Sequence, residues 1–214
     1  MDKKISECDF VIICTPLSEY EKIFSIFNKY LKKNVVVTDV GSAKKNTITK
    51  IDKTRRKDIN WISSHPIAGS EVSGPSNGNE NLFVNKWSVI IKQKNSSRVQ
   101  MKKILKFWKL LGSKTVIMDS DQHDKIFAIT SHLPHLIAYN LILTATNFKI
   151  SNKTNILKFS AGGLRDFSRI AASNEIMWRD IFFNNKTNML KVIDLFINNL
   201  KIFKREIKQN KKNL

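Results

Sequence analysis

The sequence predicts an α/β fold, a sheet-and-helix half followed by an all-helical half. Three observations predict it. Short apolar runs alternate with stretches of helical spacing up to residue 118, strand signals stop beyond it, and the longest helical patterns lie after it. The 214 residues, 42% of them hydrophobic, suffice for one large domain or two small ones with a real core. Seven glycines and four prolines leave little room for long irregular stretches, and no solenoid-period repeat is present.

Residues 10–14 form a continuous apolar run, as a buried parallel strand should, and Cys14 at its end is expected to pack as a small hydrophobe. Residues 18–31 have helical spacing, with Tyr20, Ile23, Phe24, Phe27 and Leu31 on one side. A second strand at 35–38 leads into Asp39-Val40-Gly41-Ser42, and a polar helix follows at 44–51. A third strand at 61–63 runs into His65-Pro66-Ile67-Ala68-Gly69, and a fourth lies at 87–91. An amphipathic helix over 99–111 ends at Gly112, a fitting C-cap, and a fifth strand spans 115–118. Beyond a boundary near 118–121 a long helix fits 123–149, with Pro134 kinking it or starting a new segment. The apolar stretch 126–148 is broken by His132, Pro134, His135 and Asn140, so it reads as a buried core helix and not a membrane span. After Gly162-Gly163 come short helices at 166–172 and 175–184. The last helix, 186–209, carries Leu190, Ile193, Phe196, Leu200, Phe203 and Ile207 as one packed seam.

The formal charge is +19, from 37 Lys+Arg against 18 Asp+Glu. The basic residues are scattered, and no aromatics interleave the short clusters to stack on bases. The charge therefore reads as a basic surface that helps recruit an anionic substrate, with no nucleic-acid and no membrane partner expected. Cys8 and Cys14 match no zinc or redox spacing, so no metal and no disulfide framework are expected. Without a visible signal peptide, a reducing cytoplasm is the expected compartment.

Four places could carry chemistry. Asp39-Val40-Gly41-Ser42 sits at the C-terminal end of a strand, where open α/β sheets bind ligands, though a glycine turn and an N-cap serine account for it equally well. His65 follows another strand end and is placed for acid–base work, or caps a turn beside Pro66. Ser131 and His135 lie four apart on one helical face; no oxyanion motif or acidic partner completes a hydrolase, so a polar patch lining a cleft is the better reading. Arg165, Asp166 and Arg169 form either a carboxylate-binding cluster or a surface salt-bridge group. None of the glycines forms G-x-G-x-x-G after a strand, so the phosphate cradle of a dinucleotide fold is not among these residues.

Taken together and in order, these segments resemble the prephenate dehydrogenase family. The resemblance rests on Cys14-Thr15-Pro16, Asp39-Val40-Gly41-Ser42-Ala43-Lys44, His65-Pro66-Ile67-Ala68-Gly69-Ser70-Glu71-Val72-Ser73-Gly74 and Ser131-His132-Leu133-Pro134-His135. It continues through Gly162-Gly163-Leu164-Arg165-Asp166-Phe167-Ser168-Arg169-Ile170-Ala171 and Met177-Trp178-Arg179-Asp180-Ile181. It implies a partial Rossmann-like dinucleotide-binding domain over 1–118 and a helical substrate and dimerisation domain over 119–214. It implies oxidative decarboxylation of prephenate, or of arogenate, with NAD or NADP in tyrosine biosynthesis, by a homodimer. By resemblance His65 deprotonates the substrate hydroxyl, and Ser42 lies between nicotinamide and hydroxyl. Arg169 grips a carboxylate, and Ser131 and His135 line the pocket. Glu71 stands at the pocket mouth, Gly162, Asp166 and Trp178 belong to the pocket segment, and Thr15 and Pro16 border the cofactor. The family's fold opens with a strand, a Gly-rich loop, a helix and two more strands, whereas Met1 leads at once into what resembles the fourth strand. The expectation is a piece of a longer enzyme, or a remnant or scaffold completed by another chain, with weak cofactor binding and poor solubility on its own.

Overall fold

The computed structural model describes residues 3–69, 74–94, 96–148 and 156–211. β1 (Phe10–Ile13), β2 (Val36–Asp39) and β3 (Asn60–Trp61) form a parallel sheet in that order, with Phe10 opposite Val36 and Val37 opposite Trp61. All four residues of β2 are buried, Thr38 and Asp39 along with the two valines, as befits a strand central in its parallel sheet. Cys14 is exposed, contrary to expectation, because it lies just past β1 on the rim where the chain turns toward Pro16. α1 (Tyr20–Phe27) buries Tyr20, Phe24 and Phe27, and 3-10 turns at Leu17–Glu19 and Asn28–Tyr30 replace the ends of the expected longer helix. α2 (Lys45–Thr54) follows β2.

The strand expected at 61–63 divides. Ile62 N still donates to Val37 O at 2.9 Å, but Ser63 O already accepts from Ile91 N at 2.9 Å, so the chain crosses from one sheet to the next. The Ser63 and Ser64 hydroxyls donate to the side chain and main chain of Asp39 and hold the crossing in place. β4 (Ser64–Pro66) then pairs antiparallel with β5 (Trp87–Ile91), placing His65 opposite Val89, and β5 pairs parallel with β6 (Lys114–Met118). α3 (Arg98–Leu110) covers this sheet with Ile104 and Trp108. It stops at Gly112, whose φ of 80° is the left-handed conformation that glycine accepts without strain.

Beyond Asp119, α4 (Ser120–Phe127), a π-helical turn (Ala128–His132) and α5 (Leu133–Asn147) form one 28-residue helix, Ser120–Asn147. It runs through Pro134, which falls in the first turn of α5. α6 (Gly162–Ala171), α7 (Glu175–Asn184) and α8 (Lys186–Lys208) complete the helical half. Alternation along β2 sends Val37 and Val36 to opposite faces. One core joins Val37 to Ile13, Tyr20, Phe24, Phe127, Trp178 and Ile181, so it is continuous from sheet to helices. A second core joins Val36 to Ile62, Ile90, Ile104 and Trp108.

One helix expectation needs correction. In α5 only Ala138 is buried, so it is not the core helix expected, whereas in α8 only Met189 is, which leaves most of its apolar seam exposed in the single chain. Leu143, Leu200 and Phe203 are 58%, 50% and 47% exposed. By length and composition alone Ser120–Asn147 could cross a membrane. Its polar His132 and His135, however, face the buried site described next.

Candidate active site

Asp39, at the C-terminal end of β2, is fully buried and fully bonded. Oδ1 accepts from Trp61 Nε1 at 3.1 Å and Ser63 Oγ at 2.5 Å; Oδ2 accepts from Gly41 N at 3.0 Å and Lys44 Nζ at 2.7 Å. Lys44, equally buried, also donates to Ser64 O at 2.5 Å. Burial pulls its ammonium below the ordinary lysine pKa while Asp39 pulls the other way. This pair pins the loop that presents half-buried Ser42. Gly41 is needed for close approach: a Cβ there would stand 2.5 Å from Leu17 Cδ2 and 2.9 Å from the Tyr20 hydroxyl. Ser42 is not the cap of α2. Lys44 occupies the N-cap, and the carboxylate of Asp124, on α4, accepts from Lys44 N and Lys45 N at 2.9 Å each.

Around this loop the fold gathers all four histidines of the chain. His65 Nδ1 meets His123 Nε2 at 2.8 Å, and His123 Nδ1 meets Asp124 Oδ1 at 2.8 Å. Phe127 packs against both rings, with centroids 4.8 and 4.4 Å away. His132, fully buried, receives Asn185 Nδ2 on its Nδ1 at 3.2 Å. The same amide nitrogen donates to the Asp124 carbonyl at 2.7 Å. His132 Nε2 is buried without a hydrogen bond of normal geometry, and the Ser42 main chain lies beside it. His135 stacks on Trp178 at 3.6 Å, and its Nδ1 bonds the Ser131 carbonyl at 3.0 Å. Burial lowers the pKa of every one of these imidazoles, His65 well below the usual range and His132 to about 4. At neutral pH the rings are therefore uncharged and able to accept protons.

Ser42, His65, Ser131, His135 and Trp178 thus converge where the sheet half meets the helical half. Gly162, Asp166 and Arg169 stand on exposed α6, which packs on α5. Glu71 lies outside the described residues. Thr15 and Pro16 are exposed on the rim beyond β1. Together with Ser42 beyond β2, they lie past the C-terminal ends of parallel strands, where open α/β sheets bind ligands. Among the described residues no group of His, Cys, Asp and Glu could hold a metal ion. Sequence reading missed Lys44, His123 and Asp124. Polar residues at helix starts read as solvated, and nothing local shows Asp124 reaching the main chain of Lys44, 80 residues earlier in the chain.

Comparison with known proteins finds one family over both halves. The family described as prephenate dehydrogenase, nucleotide-binding domain, matches residues 1–117. The one described as prephenate dehydrogenase, dimerization domain, matches residues 119–214. The cyclohexadienyl dehydrogenase of Zymomonas mobilis is 34% identical over 197 residues, covering 92% of this chain and 67% of that protein. The prephenate dehydrogenase of Bacillus subtilis is 28% identical over 206 residues, covering 96% and 55% respectively. The crystal structure of A. aeolicus prephenate dehydrogenase with hydroxyphenyl propionate and NAD+ superposes with a TM-score of 0.89 at 32% identity. That match covers 96% of this chain and 71% of the other. The chain therefore spans between about half and two thirds of the length of these curated relatives.

Proposed function

Because the chain belongs to the prephenate dehydrogenase family, we propose that it carries the oxidative decarboxylation of prephenate to 4-hydroxyphenylpyruvate with NAD or NADP. The observation that carries this reading is His65, a buried neutral imidazole on β4 beside the Ser42 loop, with Nδ1 engaged by His123. Nε2 is then the nitrogen left for a substrate proton.

The substrate is a ring with a hydroxyl on one carbon and a carboxylate on the opposite one. Nicotinamide, when bound, supplies the hydride acceptor. As the C–H bond at the hydroxyl carbon breaks, His65 withdraws the hydroxyl proton and later returns it to the phenolate oxygen. The opposite carbon–carboxylate bond breaks, carbon dioxide leaves, and the released electron pair completes the aromatic ring. Aromatisation supplies the driving force, so the protein's task is orientation and one proton. Ser42 hydrogen-bonds the same hydroxyl, Arg169 pairs with a substrate carboxylate, and Ser131, His135 and Trp178 wall the pocket. Gly162 and Asp166 border it from α6. Thr15 and Pro16 flank the nicotinamide. A dianionic substrate suits the +19 charge of the chain.

In this reading the sheet half, 1–118, holds the cofactor, and the helical half, 119–214, closes the pocket and pairs two copies in the cytoplasm. The exposed apolar faces of α5 and α8 support the pairing. The test follows nicotinamide reduction with prephenate, using NAD and NADP in turn. His65→Asn is expected to lower turnover more than about tenfold with folding intact. Near-normal turnover in that variant removes His65 as the base.

A further inference from the structure

We propose that Asp124 and His123 are positioning residues that hold His65 in the Nδ1–H tautomer, so that its Nε2 faces the substrate as a lone pair. This rests on the reading of His65 as the base and adds what sets its protonation pattern.

Each link in the chain runs one way. A carboxylate only accepts hydrogen bonds. Asp124 takes the main-chain N–H of Lys44 on Oδ1 and of Lys45 on Oδ2, both at 2.9 Å, and sits at the positive end of α2. With a main-chain N–H donating to each of its oxygens, it meets His123 as an acceptor. His123 Nδ1, 2.8 Å from Oδ1, must therefore carry a hydrogen. A neutral imidazole with its hydrogen on Nδ1 accepts at Nε2. His65 Nδ1, 2.8 Å from that Nε2, must then donate, which leaves the lone pair on His65 Nε2. Burial disfavours the alternative in which either ring is an imidazolium at rest, since His123 and Asp124 are 0% and 1% exposed and His65 is 7% exposed. Phe127 holds both ring planes.

The relay also has a second grip on the site. The carboxylate that orients His123 caps α2, two residues after Ser42, so base and hydroxyl-binding loop share one anchor. When His65 gains the hydroxyl proton, its positive charge is supported through His123 by the Asp124 carboxylate. The other charged or titratable groups facing His65 are Lys44 at the start of α2 and His132 in the π-helical turn. Both oppose a positive His65, as does His123 by its own charge when protonated, so a neutral His65 is the resting form.

The experiment is long-range proton–nitrogen NMR of the full chain labelled with ¹⁵N-histidine, with His65 assigned by its loss in His65→Asn. The expected result at neutral pH is a hydrogen on His65 Nδ1 and an unprotonated Nε2. Asp124→Asn and, independently of the α2 cap, His123→Gln are expected to shift His65 toward the Nε2–H form. They should also lower kcat by roughly tenfold or more, displace the acid limb of the kcat/KM–pH profile, and leave KM little changed. A wild-type His65 carrying its hydrogen on Nε2 overturns the relay whatever the activity, and needs no variant that folds. An unmoved tautomer in folded His123→Gln overturns it too. Full activity of His65→Asn, by contrast, sinks the base assignment and not the tautomer.

Discussion

His132 links one buried ring to the pH dependence of stability. Its pKa falls from 6.5 to about 4 because burial penalises the charged form. Between those values the unfolded chain binds a proton that the folded chain refuses, so stability rises with pH across that window. The contribution is fully present above pH 6.5 and lost as pH falls toward 4. It is worth on the order of 3 kcal/mol. His65 and His123, lowered by burial as well, act in the same direction. Urea midpoints are expected to drop from pH 7 to pH 4.5, and a flat profile would count against neutral buried histidines. Arg169 is expected to act on binding. Losing a desolvated arginine–carboxylate contact costs about 2–5 kcal/mol, so Arg169→Ala should raise the substrate KM at least about tenfold with a smaller effect on kcat. Steady-state kinetics with prephenate decide this. The sequence singled out Arg169 and His65 through their motifs, but gave no sign of the partners of His65. His123 and Asp124 become functional only through contacts 58 and about 80 residues away in the chain.

Helix ends show how local chemistry and long-range contacts divide the work. Gly112 was legible as the stop of α3, and the structure gives the reason in its φ of 80° and the 3.2 Å from a virtual Cβ to Val84 Cα. Gly112→Ala is therefore expected to destabilise the fold by about 1–2 kcal/mol, seen as a Tm lowered by several degrees. An unchanged Tm would mean that the turn relaxes. The start of α2 was not legible in the same way. Its cap comes from α4 rather than from neighbouring Ser42, which leaves the serine hydroxyl free for other work. Helical spacing over 123–149 was plain from the sequence, while the π-helical turn at Ala128–His132 was not. That turn lets His132 face Asn185 while His135 lies flat on Trp178.

At the scale of the whole molecule the helical half leaves its apolar surface uncovered. Leu190, Leu195, Leu200 and Ile207 on α8 are each at least half exposed, and Leu143 on α5 is 58% exposed. Exposed apolar surface of that extent calls for a partner, and a second copy fits the family's dimerization domain. Light scattering should give twice the mass of one chain. Leu200→Glu with Phe203→Glu should give the single-chain mass with helix content retained. A wild-type monomer at micromolar concentration would remove the pairing.

The sequence by itself determined the α/β half, the helical half and the glycine that stops α3. These follow from short-range periodicity and backbone sterics, which a linear chain displays directly. It also determined the family, because linked motifs keep their order along the chain. Only the tertiary structure decided how the site is wired. The Asp39–Lys44 pair is buried, Asp124 caps a distant helix, and four histidines spread over 71 positions meet around one loop. Hydrogen bonds and desolvation act through space, and their partners are fixed only when packing brings remote segments within about 3 Å.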